Sequence, residues 1–129
     1  MVASAKLKLI GYWGGPSAQD WPNPHEFVDP SWDRDERETV REYLEDGFVL
    51  RAFGGISRCR FCDQPNGALE RTDGQWYWPD GLAHYLAEHD VRLPQSFVDH
   101  VLALVDRLEV VEREVEWWRS QSGCRPAED

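Results

Sequence analysis

The chain is poor in cysteine, short of basic residues and without a long apolar run. Its three cysteines are an odd number, and two of them stand in one C-x2-C pair, which argues against a disulfide framework. Lys and Arg total 14 against 24 Asp and Glu, a formal net charge of −10. So acidic a surface disfavours a nucleic-acid backbone or an anionic membrane as partner, because both reward positive charge. A basic protein is the partner it suits. No stretch approaches the ~20 apolar residues of a membrane span, and MVASAKLKLIGYW lacks the long apolar segment and cleavage pattern of a signal peptide. The expectation is a cytoplasmic protein. No nucleophile elbow, phosphate loop or HExxH motif occurs either.

What the sequence does hold is a ligand set. Between Cys59 and His89 the chain reads CRFCDQPNGALERTDGQWYWPDGLAHYLAEH, with Cys59 and Cys62 in C-x2-C spacing and His84 and His89 in H-x4-H spacing. Two thiolates and two imidazoles make a closed tetrahedral zinc site. Asp63, Gln64, Pro65, Asn66 and Gly67 are turn formers that bend the chain back after the second sulfur, as in a zinc knuckle. Ala68–Arg71 and Gln75–Trp78 are strand candidates joined through Thr72-Asp73-Gly74, a hairpin signal, with Trp76 and Trp78 on one face and Tyr77 on the other. Pro79 and Asp80 suit the start of a helix carrying His84 and, at its end, His89. The arrangement predicted is knuckle, hairpin, helix, in the manner of a treble clef.

Helical geometry sets a condition on this reading. Residues five apart on a regular helix point roughly 140° away from each other, so both histidines reach one ion only if the last turn loosens. Two other readings of the cysteines stand beside zinc: a redox dithiol, which usually opens a helix after a strand, and unrelated buried cysteines with core histidines. Four protein ligands leave no position for water, so a bound metal is expected to be structural. A catalytic site would need one of the four to be a bystander, with Glu88 and Asp63 the nearest acid/base candidates.

The remaining chain frames this segment. Lys6–Trp13 alternates as a half-buried strand, and Ser17–Ser31 is a proline-interrupted arm with Trp21, Phe27, Val28 and then Trp32 to pin it. A helix is predicted over Asp33–Asp46, stopped by Gly47, with a solvated charge run on its outer face. Phe48–Phe53 reads as a strand leading through Gly54-Gly55 to the knuckle. After the link Val91–Pro94, Phe97, Val101, Leu104, Leu108, Val111, Val115 and Trp118 recur at heptad spacing, predicting one long helix over 95–121. Its first half should lie on the core and its second offer a seam to a second copy or another protein. The domain plan is 1–94 for a zinc-stapled α+β body with a small antiparallel sheet, 95–121 for the helix and 122–129 for a tail that holds Cys124.

C-R-F-C, Asn66-Gly67, Leu69-Glu70, Thr72-Asp73-Gly74, Trp78-Pro79, Gly81-Leu82-Ala83-His84-Tyr85, Glu88-His89 and Val91-Arg92-Leu93-Pro94 together resemble a family of small, largely uncharacterised bacterial proteins. The resemblance runs from the Trp/Pro arm through Pro94 and is most specific from knuckle to helix. It implies a bacterial origin and a shared metal-site scaffold, and no activity. The function expected is a zinc-stabilised, acidic protein-binding module of adaptor, inhibitor or immunity type. A metal-dependent enzyme is the alternative, and a nucleic-acid binder a further one, with Arg51, Arg58, Arg60 and Arg71 as its cations and Trp76, Tyr77 and Trp78 as stacking platforms.

Overall fold

The structure, a computed structural model, describes residues 6–14, 20–52 and 55–121. The expected α+β class holds, built on a four-stranded sheet in the order β1-β4-β3-β2. The strands are β1 (Lys8–Leu9), β2 (Phe48–Ala52), β3 (Leu69–Thr72) and β4 (Trp76–Pro79). The helices are α1 (Arg34–Glu45), α2 (Leu82–His89), α3 (Gln95–Val110) and a short α4 (Glu116–Arg119).

Helix α1 begins where its chemistry says. The Asp33 carboxylate caps it by accepting the Glu36 amide at 2.9 Å, and Asp35 and Glu36 occupy the positive first turn. Val40 and Leu44 are buried on its inner face. On the outer face Arg41 pairs with Glu38 and Glu45 one turn away on either side, so the charge run is the solvated face expected of it.

The core is organised by Trp78. This ring is fully buried, and its Nε1 donates to the Leu44 carbonyl at 3.0 Å, which satisfies an otherwise unpaired group at the end of α1. Trp76 and Trp78 share one face of β4 and both meet Phe97 of α3, at ring-centroid distances of 5.0 and 6.0 Å. Tyr77 points to the other face, beside Tyr12. Gly47 is required here for more than ending α1: a Cβ at this position would lie 2.5 Å from the Trp78 Cζ2 atom.

The β3–β4 hairpin forms as predicted. Gly74 takes φ +97°, and the Asp73 carboxylate accepts the amides of Gln75 and Trp76 at 2.8 and 2.7 Å. Over its described part the arm is only partly packed as expected, with Trp21 and Val28 exposed. Trp32 is buried, Phe27 meets Trp13 at 5.4 Å, and Arg92 forms an ion pair with Asp29 at 2.9 Å.

Three expectations need correction. The sheet is mixed and not antiparallel throughout, because β1 joins β4 in parallel. α1, β2 and β3 intervene in the chain between these two strands, and no local pattern in eight residues specifies which strand they will meet or in which direction. β1 is also only two residues long, since Gly11 turns the chain at φ +83°. Most consequentially, the helix predicted over 95–121 is not continuous: α3 ends at Val110, and Val111 is extended at φ −76°, ψ 142°. Phe97 and Val101 of the heptad stripe are buried, whereas Leu108, Val111, Val115 and Trp118 are exposed. The helix stops where its stripe ceases to touch the body, as tertiary packing supplies most helical stability. Residues 122–129, Cys124 among them, and Phe53-Gly54 lie outside the described residues.

Replacing Gly47 by Ala should lower unfolding free energy by about 1–3 kcal/mol, since the added methyl must displace a fully buried indole. Urea denaturation measures this. Unchanged stability would show that Trp78 is not held as tightly as its burial states.

Candidate metal centre

The knuckle is a tight, self-bonded loop. The Cys59 amide donates to the Gln64 carbonyl at 3.0 Å, the Asp63 amide to the Cys59 carbonyl at 2.9 Å, and Arg58 and Pro65 close it as a bridge. Asp63 takes the left-handed conformation at φ 60°, one of the few residue types that tolerates it. The fold leaves both thiols free, Cys59 buried and Cys62 exposed. Cys59 Sγ accepts the Phe61 amide at 3.3 Å.

The exit of the knuckle is locked to the start of α2. Asn66 Nδ2 donates to the Gly81 carbonyl at 3.0 Å, and a Cβ on Gly81 would sit 2.2 Å from the Asn66 carbonyl oxygen. His84 lies in the first turn of α2 and His89 is its last residue. The amides of Asp90 and Val91 both return to the Tyr85 carbonyl, five and six residues back, and Asp90 is left-handed at φ 57°. The last turn is therefore wider than an α-turn. This widening closes the helix just past His89, and the His84 and His89 rings converge with their centroids 5.0 Å apart.

As a result Cys59, Cys62, His84 and His89 each place a donor atom within 4.8 Å of the other three, so the four could bind a metal ion. Cys62 Sγ and His84 Nε2 stand 3.5 Å apart. Tetrahedral bonds of about 2.3 Å to sulfur and 2.0–2.1 Å to nitrogen place neighbouring donors roughly 3.3–3.8 Å apart, so the cluster is within a small contraction of a complete shell. His89 Nε2 is buried and has no hydrogen-bond partner among the described residues, an arrangement that is costly for an imidazole nitrogen unless something binds it. Phe61 stacks on the His89 ring at 4.8 Å and 10°. The Tyr85 hydroxyl accepts the Arg60 amide at 2.9 Å. Burial and the neighbouring His89 hold His84 below its ordinary pKa, which favours the neutral, ligating form.

The other residues singled out from the sequence behave differently. Glu88 and Asp63 are exposed and outside the donor cluster. Tyr77 and Trp78 are buried and form no stacking platform. Arg71 is bound to Asp80 and Arg51 to Glu70, each at 2.8 Å; Arg58 and Arg60 remain on the knuckle surface.

The structure also brings together residues that sequence spacing did not connect. His100 Nε2 lies 2.8 Å from the Asp73 carboxylate, to which the Tyr43 hydroxyl also donates. Burial pushes the Asp73 carboxyl up, but the Tyr43 hydroxyl, the two turn amides and His100 outweigh it and hold the group below the usual carboxylate range. On the sheet's other face, Glu70 is buried among Arg51, Tyr12 and Tyr77, whose hydroxyl donates to it.

No family model, curated protein or solved structure matches this chain. The site is read from its own geometry.

The depressed Asp73 carboxyl contributes stability above the ordinary carboxylate range, and that contribution is lost as pH falls through the folded-state value. Asp73→Asn should therefore flatten the acid-side decline of melting temperature between about pH 5 and pH 2. An identical decline in variant and parent would show that the group is not coupled to folding.

Proposed function

We propose that the chain is a small protein-binding module stapled by one structural zinc ion, an adaptor, inhibitor or immunity-type protein whose contact surface is the unpaired edge of β2. The zinc assignment rests on the donors: two cysteines and two histidines whose donor atoms lie within 4.8 Å of one another suit a metal without a geometric preference of its own. Four protein donors fill that shell, which favours a structural ion over a catalytic one.

The binding assignment rests on one observation. β2 is an edge strand, and Phe48, Val49 and Leu50 are 74, 51 and 53% exposed. The register slips between Val49 and Arg51, so the strand buries neither face. Among the described residues no strand pairs with this edge, and its blunting is limited to the bulge and Arg51. Adding an extended segment to such an edge uses main-chain hydrogen bonds for affinity and side-chain pockets for selectivity. The chain's net charge of −10 favours a basic segment. The surface first expected from the heptad residues shifts accordingly, since Leu108, Val111, Val115 and Trp118 lie on no continuous helix. They are exposed without forming a coiled-coil seam.

Native mass spectrometry of protein purified without a chelating tag should find one zinc per chain. Cys59→Ser or His89→Ala should lose it along with at least about 3 kcal/mol of stability, a modest share of the ~10–16 kcal/mol that zinc contributes to isolated fingers. His100→Ala should keep the metal. Loss of metal with unchanged melting would contradict a structural role. For the edge, a library of extended peptides alternating apolar residues with lysine, read by fluorescence polarisation, should yield saturable binders that Phe48→Lys abolishes with zinc content intact. Equal binding by the parent and Phe48→Lys, or no binder at all, rejects β2 as the contact.

A further inference from the structure

A cleft of about 330 Å³ lies between the N-terminal segment and the knuckle, and its electrostatics run against the rest of the molecule. Its walls carry Tyr12, Trp13 and Trp21 from one side and Arg58, Arg60 and Tyr85 from the other. Among the described residues two arginines line it and no carboxylate does, in a chain where acidic residues outnumber basic ones by 24 to 14. The contrast is local: a second cavity, on the far side of Asn66 and Gly81, is lined among the described residues by Glu45, Asp80 and Glu88 and by no arginine or lysine.

The arginines are placed to stay cationic and available. The Arg60 guanidinium donates only to main-chain carbonyls among the described residues, those of Gly14, Arg58 and Trp13. These bonds fix its position without neutralising its charge. Arg58 donates to the Asp63 carbonyl at 2.7 Å, with the Asp63 carboxylate a looser 3.8 Å away. Facing them, the Tyr12 and Trp21 rings lie 6.1 Å apart at 39°. Tyr12 is anchored through its hydroxyl to Glu70 at 3.1 Å, and Trp21 is 45% exposed at the rim. Trp13, in the same wall, has a buried indole N–H without an acceptor among the described residues.

Aromatic faces select flat rings, and guanidinium groups select carboxylate or phosphate oxygens by charge and by paired donors. A volume of this size lies at the small end of ligand pockets. We infer that the cleft is a binding site for a small planar aromatic ligand bearing a carboxylate or phosphate group, the ring lying against Tyr12 and Trp21 and the anionic oxygens facing Arg58 and Arg60. The site is separate from the edge of β2 and stands independently of the partner assigned to that edge.

Titration of the zinc-loaded full chain with phenyl phosphate and with benzoate, followed by tryptophan indole N–H signals in NMR spectra, tests this. Inorganic phosphate and benzyl alcohol serve as controls lacking the ring and the charge. Saturable binding is expected for at least one ring-bearing anion, and whichever binds more tightly identifies the oxyanion class. Trp21→Ala and Arg58→Gln, both at exposed positions, should each weaken it about tenfold, with melting temperature unchanged. Either control binding as tightly as the ring-bearing anions, affinities unaltered by both variants, or no saturable shift would each overturn the assignment. Should Arg58→Gln perturb the knuckle, Trp21→Ala alone decides, because it lies outside that loop.

Discussion

The candidate metal centre depends on the convergence of His84 and His89, whose rings stand 5.0 Å apart on one short helix. Residues five apart on a regular helix point roughly 140° away from each other, and without this convergence the knuckle would meet a single imidazole. The widened turn is held by two amides on the Tyr85 carbonyl and a left-handed Asp90. Tyr85 also receives the Arg60 amide through its hydroxyl, so the residue whose carbonyl holds the turn is itself fastened to the knuckle. The four residues that could bind a metal ion therefore sit on a knuckle and a helix end already fastened to each other.

Trp78 plays the corresponding part for the rest of the body. Its burial against Gly47 and its bond to Leu44 join the end of α1 to β4, and its contact with Phe97 adds α3. Everything covered by this cluster is regular. What it does not reach is left open: β2 at the sheet edge, and the chain beyond Val110. These two apolar regions are exposed because the single core is small, as expected of a chain of 129 residues. The same limit explains why a metal staple would matter to folding here.

Local chemistry made a good part of this legible. The Asp33 cap, the inward Val40 and Leu44, the turn at Gly74 and the alternation of Trp76, Tyr77 and Trp78 are short-range effects, and residues within one turn or one strand declare them. The pairing of Cys59 and Cys62 with two distant histidines was legible because metal chemistry requires that donor set. Contacts far apart in the chain carried no such signature. His100 approaches Asp73 across 27 residues, and Tyr12 approaches Glu70 across 58; neither separation has any periodicity to read. The heptad stripe misled for a related reason, because its spacing records which residues share a helix face and not whether anything stands opposite that face.

The sequence by itself determined the α+β class, the positions of α1, the hairpin and the knuckle, and the four residues able to ligate a metal, since each follows from turn chemistry, side-chain period or ligand type. The tertiary structure alone decided the parallel entry of β1, the end of α3 at Val110, the convergence of His84 with His89, and the arginine-lined cleft in an acidic protein. Those features depend on which surfaces meet in space, and burial, which settles that, is a property of the packed whole.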